Sequence, residues 1–130
     1  MIKRTLALGA AVAAMMTAPA ATQGGIDALR GIEAGAWELT LPGTRTAPIR
    51  MCVGEVSQLA QVAHRGRQCT RVTVDEQGKD VLIHYTCSGA GFGRVKMSVV
   101  TPRSLRIETQ GVAGQLPFHT TYHARRVGAC

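Results

Sequence analysis

Aromatic residues are scarce in this chain, whose 130 residues include one Trp, two Tyr and two Phe. Single-stranded nucleic acid is commonly held by aromatic side chains interleaved with basic ones. The five aromatic residues do not alternate with arginines in this way; they are Trp37, Tyr85, Phe92, Phe118 and Tyr122. The composition therefore does not favour a nucleic-acid partner, and none is predicted.

Long apolar runs are also missing. The apolar stretch at residues 6–16 is shorter than the roughly 20 residues that a membrane-spanning helix needs, and no later stretch is long enough. It follows Lys3 and Arg4 and precedes Ala-Pro-Ala at residues 18–20, which is the order found in secretory signals. The sequence predicts a cleaved signal peptide over residues 1–20, no membrane span in the mature chain, and a periplasmic or secreted location.

Closely spaced cysteine pairs are absent as well. Zinc sites usually contain such pairs or a nearby histidine at ligand spacing, so neither a metal nor any other cofactor is predicted. The residues after the signal, 21–130, are enough for a single small domain, and domains of this size often need covalent cross-links such as disulfides. An even number of cysteines in an oxidising compartment predicts two disulfides. The four cysteines are Cys52, Cys69, Cys87 and Cys130.

Most of the mature chain shows the alternating pattern of β-strands. Seven short strands are predicted, near residues 36–41, 48–53, 70–74, 81–87, 94–100, 104–110 and 119–127. Their number and the regular turn signals predict a mainly β domain with a single small antiparallel sheet, barrel-like or sandwich. One short helix is predicted at about 55–64, where Val56, Leu59, Ala60 and Ala63 share a helix face.

Alternation also predicts which side chains face the core. The candidate inward residues are Trp37, Leu39, Met51, Val72, Ile83, Val95, Met97, Leu105, Ile107 and Tyr122. On the other face of the fifth and sixth strands, Lys96 is expected opposite Glu108, a favourable cross-strand pair. A helical turn before the first strand is expected to direct Ile26 and Leu29 inward.

The direction of the chain favours one pairing of the four cysteines out of three. A helix of this length spans on the order of 15 Å, about the length of a short strand, and would carry the chain from one end of the sheet to the other. Cys69 and Cys87 then share one end, and Cys52 and Cys130 share the other. A Cys52–Cys69 bridge is the alternative. Because Cys69 alternates with polar residues, its pairing with Cys87 is expected to need a bulge or a frayed end.

Two motifs suggest chemistry but have simpler interpretations. The glycines in SGAGFGRV are spaced like a phosphate-binding loop, yet such loops precede a helix and here a strand pattern follows, so a glycine-rich turn is predicted. His119 and His123 are four residues apart on a predicted strand, roughly 13 Å, which is too far for one metal ion. No hydrolase signature is present, and no catalytic residue is predicted.

Basic residues outnumber acidic ones, 15 to 8 over the whole chain. Basic faces attract anionic lipids and acidic polymers. The predicted basic interaction face consists of Arg65, Arg67, Arg71, Arg125 and Arg126.

Several segments together resemble the domain of unknown function 3617 family of small exported bacterial proteins. These segments are GAWELT, RMCVGE, RQCTRVTV, HYTCSGAGFGR, QGVAGQLPF and ARRVGAC. The resemblance extends over about residues 31–130, and the matching positions are Gly35, Trp37, Cys52, Cys69, Cys87, Gly128 and Cys130. It implies a secreted or periplasmic β-rich domain and carries no established activity or catalytic residue.

Two functional hypotheses of different classes follow. The first is a non-enzymatic binding module of the cell envelope that holds a small apolar ligand inside a small barrel. The second is an interaction module that contacts an envelope protein or an anionic surface through the basic face. A hydrolase is a third hypothesis, and it would require Ser, His and an acidic residue to converge in the fold.

Overall fold

The structure, a computed structural model, describes Ala14 and residues 25–130. The predicted signal peptide lies outside the described residues, apart from Ala14. A 3-10 turn (Asp27–Leu29) precedes the first strand, and a helical segment (Val56–His64) lies between the second and third strands. The strands are β1 (Gly35–Thr40), β2 (Ile49–Val53), β3 (Cys69–Gln77), β4 (Asp80–Cys87), β5 (Gly91–Thr101), β6 (Ser104–Ala113) and β7 (Leu116–Gly128).

All seven strands form one antiparallel sheet in the order β2-β1-β7-β6-β5-β4-β3. The prediction of a mainly β, antiparallel domain with one short helix is confirmed. The sheet is not a closed barrel, because β2 and β3 are its two edges and do not pair with each other. The chain connects β2 to β3 through the helical segment. In a closed up-and-down barrel these two strands would instead pair with each other. We call the gap between β2 and β3 the seam.

The helical segment occupies the predicted span and packs on the inner side of the sheet. It begins with a capping box, in which the Glu55 side chain accepts from the backbone of Gln58 and the Gln58 side chain accepts from the backbone of Glu55. It is kinked at Gln61 and buries an apolar face that includes Leu59 and Val62. The 3-10 turn before β1 buries Leu29, with Ile26 partly buried, as predicted.

Eight of the ten predicted inward residues are buried, and Met51 is partly buried. The prediction for Val72 is wrong, because this side chain is 59% exposed. The register of β3 against β4 explains the difference. Val72 lies opposite the exposed His84, whereas Arg71 lies opposite the buried Tyr85. On this edge strand the inner positions are therefore polar and the valines face solvent.

The β5–β6 hairpin has the predicted register, with Lys96 opposite Glu108. Each of these two side chains forms ion pairs with other residues. Lys96 Nζ lies 3.7 Å from a carboxylate oxygen of Asp80, and Glu108 pairs with Arg106 at 3.3 Å and with His119 at 3.5 Å. All of these groups are partly exposed, so each pair adds little stability.

The cysteines pair in the favoured way. Cys69 lies directly opposite Cys87 in the β3–β4 ladder, with a Cα–Cα distance of 4.1 Å, and Cys52 lies 5.7 Å from Cys130. No bulge is needed at Cys69, because the bulge in β3 falls further along, between Thr73 and Asp75. Two disulfides suggest a protein outside the cytoplasm. Within the described residues, no helix is both long and apolar enough to cross a membrane.

The two disulfides mark opposite ends of the sheet, which we call the Cys69 end and the Cys130 end. The helical segment runs from the Cys130 end to the Cys69 end, as the pairing argument requires. The β4–β5 and β6–β7 turns lie at the Cys69 end, whereas the β3–β4 and β5–β6 turns lie at the Cys130 end.

Candidate functional site

A polar pocket of about 340 Å³ opens at the seam, and we call it the seam pocket. One wall comes from β2, the other from the start of β3, and the helical segment with the loop after it supplies the rest. The residues lining it are Met51, Cys52, Val53, Gln58, Gln61, Arg65, Gly66, Arg67, Gln68, Cys69 and Arg71. Three of the five arginines of the predicted basic face therefore come together in this pocket.

Arg71 reaches the pocket because it faces the inner side of the edge strand. Its Nη1 donates a hydrogen bond to Oε1 of Gln61, and its Nη2 lies 3.7 Å from Oε2 of Glu55. The side chain of Arg71 is 27% exposed, whereas that of Glu55 is 69% exposed. The guanidinium is thus held in place by the helical segment and keeps part of its surface open to the pocket.

Both helical glutamines present hydrogen-bond donors to the pocket. The Gln58 oxygen already accepts from the backbone N–H groups of Gly54, at 3.0 Å, and of Glu55, at 3.2 Å. The Gln61 oxygen accepts from Arg71. Since each amide oxygen is engaged, the side-chain NH₂ groups are the parts of Gln58 and Gln61 left to bind a ligand.

Arg65 and Arg67 lie in the loop that connects the helical segment to β3. Gly66 between them has a φ of +75°, a left-handed conformation that ends the helix and turns the chain. Arg65 donates to the Val62 carbonyl oxygen at 2.9 Å, and Arg67 is exposed. Three arginines therefore line the pocket, and one carboxylate, that of Glu55, lies close to one of them, so the charge of the pocket suits an anion.

The other two predicted arginines lie elsewhere. Arg125 lines a separate cleft of about 480 Å³ with Glu38 and His123, among others. Arg126 has a side chain that is only 17% exposed; its Nε donates to the Ala34 carbonyl oxygen at 2.9 Å. Arg126 therefore fastens the segment before β1 to β7, and the structure does not unite the five arginines in one face.

A buried cluster around His64 lies next to the pocket, at the end of the helical segment. His64 Nδ1 is 2.7 Å from the hydroxyl oxygen of Tyr85, and Nε2 is 2.9 Å and 3.1 Å from the carbonyl oxygens of Ala90 and Val112. Carbonyl oxygens only accept, so in the neutral ring Nε2 carries the hydrogen and Nδ1 accepts from Tyr85. None of these partners is a carboxylate or a nucleophile, so the cluster does not form a hydrolytic triad.

Tyr85 is almost fully buried, and burial raises its pKa to about 12. The nearby Thr109 hydroxyl lowers this pKa in part, and Tyr122 adds to it. The phenol ring lies over Gly93 so closely that any Cβ at that position would overlap it. The cluster thus depends on a glycine inside a strand and ties the end of the helical segment to the sheet.

The glycine-rich motif and the pair of histidines belong to the strands and turns of the sheet. Gly89 lies in the β4–β5 turn, whereas Gly91 and Gly93 lie within β5, so the predicted turn is confirmed for Gly89 and wrong for the other two. No helix follows the glycines, and the phosphate-loop interpretation fails. His119 and His123 lie on β7, as predicted. In the part of the chain that the structure describes, no cluster of His, Cys, Asp and Glu could hold a metal ion.

Sequence patterns did not single out Gln58, Gln61 or the His64–Tyr85 pair. The capping-box spacing of Glu55 and Gln58 was visible in the sequence and could have drawn attention to Gln58. The pairing of His64 with Tyr85 depends on a fold contact between residues 21 positions apart, so no local pattern signals it.

Comparison with known proteins yields one match. No curated protein and no solved structure is similar enough to this chain to count as a match. A family model described as "Protein of unknown function (DUF3617)" matches residues 32–130, which is nearly all of the described domain. The matched span covers all seven strands, the seam pocket and both disulfides, and the chain therefore belongs to the DUF3617 family of proteins of unknown function.

Proposed function

We propose that this protein is a non-enzymatic binding module that works in the periplasm or outside the cell and holds an anionic group in the seam pocket. One observation carries the proposal. Three arginines line a pocket whose two helical glutamines have their oxygens engaged and their NH₂ groups left as donors. Such a surface offers donors and positive charge, which suits a carboxylate or a phosphate.

The geometry favours this site over an apolar ligand in the interior. The helical segment and large buried side chains fill the inner side of the sheet, including Trp37, Leu59 and Tyr85. Protein interiors of this kind are close-packed and leave little room for a ligand. The seam pocket, by contrast, is open to solvent, and the two cysteines that line it are in disulfides and are not available as nucleophiles.

A calorimetric titration with inorganic pyrophosphate tests the proposal. We expect binding at low salt that weakens steeply as salt rises from about 20 mM to about 500 mM, because screening weakens exposed charge contacts. Arg67→Gln should lower the affinity about tenfold, since a charge-assisted hydrogen bond is lost.

Arg103→Gln is the matched control. It removes the same charge from an exposed residue at the β5–β6 turn, at the Cys130 end, and should leave the affinity unchanged. Equal losses in both variants would show that net charge alone attracts the anion, and the absence of binding at low salt would refute the proposal.

A further inference from the structure

The Cys69 end of the molecule combines exposed apolar side chains with positive charge. The last row of the sheet at this end pairs Cys69, Cys87, Gly91, Ala113 and Leu116 across five strands. Leu116 is 73% exposed. In the next row Phe92, which is 53% exposed, lies opposite Val112, and Val112 lies opposite Pro117. Because side chains alternate between the two faces from one row to the next, Leu116 lies on one face of the sheet and Phe92 and Val112 lie on the other. Both groups border the same end of the sheet, and together we call them the apolar patch.

Arginines flank this apolar patch. His64 is bonded to the carbonyl oxygens of Ala90 and Val112, so the loop with Arg65 and Arg67 begins beside the β4–β5 turn and the end of β6. Arg94 follows two residues after Phe92 on β5 and forms no ion pair with any described residue.

Carboxylates are absent from the segments that build this end. Residues 64–70, 86–94 and 110–118 contain no Asp or Glu. At the opposite end, acidic residues gather around the β3–β4 turn and the start of the helical segment; they include Asp75, Glu76, Asp80 and Glu55. The Cys69 end is therefore basic and apolar, whereas carboxylates and basic groups such as Lys79 and Arg103 are mixed at the Cys130 end.

We infer that the Cys69 end docks on the surface of a bilayer that contains anionic phospholipids. Leu and Phe side chains enter the boundary between headgroups and acyl chains, and basic side chains bind the phosphates around them. The absence of carboxylates from residues 64–70, 86–94 and 110–118 favours this end over the Cys130 end for contact with an anionic surface. The inference rests on the proposed function in one respect, because Arg65 and Arg67 belong both to the seam pocket and to the docking surface.

Vesicle sedimentation tests the inference with the mature protein. We expect binding to vesicles of phosphatidylcholine with phosphatidylglycerol and little binding to phosphatidylcholine alone. Leu116→Ser and Phe92→Ser should each weaken binding about tenfold, because a buried apolar contact with the membrane is lost. Val100→Ser is the matched control, since Val100 is 61% exposed but lies near the β5–β6 turn at the other end, and it should bind like the parent protein.

The possible outcomes separate this inference from the proposed function. Full binding by Leu116→Ser and Phe92→Ser, with loss at high salt, would overturn docking through the apolar patch while leaving the anion pocket intact. Binding of pyrophosphate without any binding to vesicles would also overturn the membrane inference and leave the anion pocket intact. A concentration-dependent dimer that Leu116→Ser abolishes would identify the patch as a contact between copies and overturn the membrane inference.

Discussion

At the scale of single residues, the cluster of His64, Tyr85 and Gly93 determines how the helical segment meets the sheet. A glycine in a strand usually weakens it, and the sequence alone did not explain Gly93. The structure does, because the Tyr85 ring fills the space that a side chain would need. Tyr85 was predicted on a strand, but its partner His64 could not be, since their contact spans the chain between the helical segment and β4.

Gly93→Ala should destabilise the protein by about 1–3 kcal/mol, because the new methyl group must displace a buried phenol from a packed site. Denaturant unfolding measures the loss. Gly54→Ala is the control, since a Cβ there meets nothing within 4 Å, and its effect should stay within about 0.5 kcal/mol. Similar stabilities for the two variants would contradict the close contact between Gly93 and Tyr85.

Tyr85→Phe should cost about 1–3 kcal/mol near pH 7, because His64 Nδ1 loses its buried donor. The pH dependence gives a second readout. The pKa of Tyr85 is about 12 in the folded protein and near 10 in the unfolded chain. The stability linked to its burial is therefore fully present below pH 10 and is lost as the pH rises from 10 through 12.

Comparing the parent protein with Tyr85→Phe separates the effect of Tyr85 ionisation from that of the other titrating groups. From pH 7 to pH 12 the free energy of unfolding should fall more steeply in the parent protein than in Tyr85→Phe. The difference in stability between the two proteins therefore becomes smaller at high pH. A difference that stays constant would mean that Tyr85 ionises in the folded state as it does in the unfolded chain.

At the scale of elements, alternation and turn signals predicted every strand, and the apolar spacing predicted the helix span. The direction of the chain through that helix favoured the cysteine pairing that the structure has. The central strands β4 to β6 follow the pattern over most of their length because one of their faces is buried there. The edge strand β3 departs from it, since its inner positions meet the polar part of the helical segment, where Arg71 contacts Gln61. Closure could not be predicted either, because the strand pattern of a closed barrel and that of an open sheet are the same.

The two disulfides should contribute unequally to stability. Cys52 and Cys130 are 78 residues apart, whereas Cys69 and Cys87 are 18 apart. A longer loop restricts the unfolded chain more, so replacing both members of a pair by Ser should cost about 4.5 kcal/mol for the first bridge and about 3 kcal/mol for the second. Thermal unfolding of the two double variants provides the comparison. A larger loss of stability on removing Cys69–Cys87 would argue that the disulfides do not act mainly by restricting the unfolded chain.

At the scale of the whole molecule, the open seam brings a basic pocket to the surface and the charge is distributed unevenly along the sheet. The total charge was evident from the sequence, but its distribution was not. Arg125 and Arg126 are adjacent in the chain, yet Arg125 borders an open cleft, whereas the mostly buried Arg126 bonds to the Ala34 carbonyl oxygen. The sequence already showed that Arg65, Arg67 and Arg71 are close together in the chain, and the fold shows that these three line one pocket without Arg125 and Arg126.

The predicted export of the protein has its own test at this scale. We expect the protein isolated from the envelope of its host to begin at residue 21 and to weigh four hydrogens less than the reduced chain, reflecting signal cleavage and two disulfides. Intact mass spectrometry checks both features together. A full-length mass with four free thiols would contradict a location outside the cytoplasm.

The most direct test of the proposed binding site is an NMR titration of the ¹⁵N-labelled protein with inorganic pyrophosphate at low salt. We predict that the resonances that shift belong to the side-chain amides of Gln58 and Gln61 and to the backbone of residues 65–68, because these groups line the seam pocket. Shifts centred instead on Arg125 and His123, or no shifts at all, would contradict the assignment of the seam pocket as the binding site.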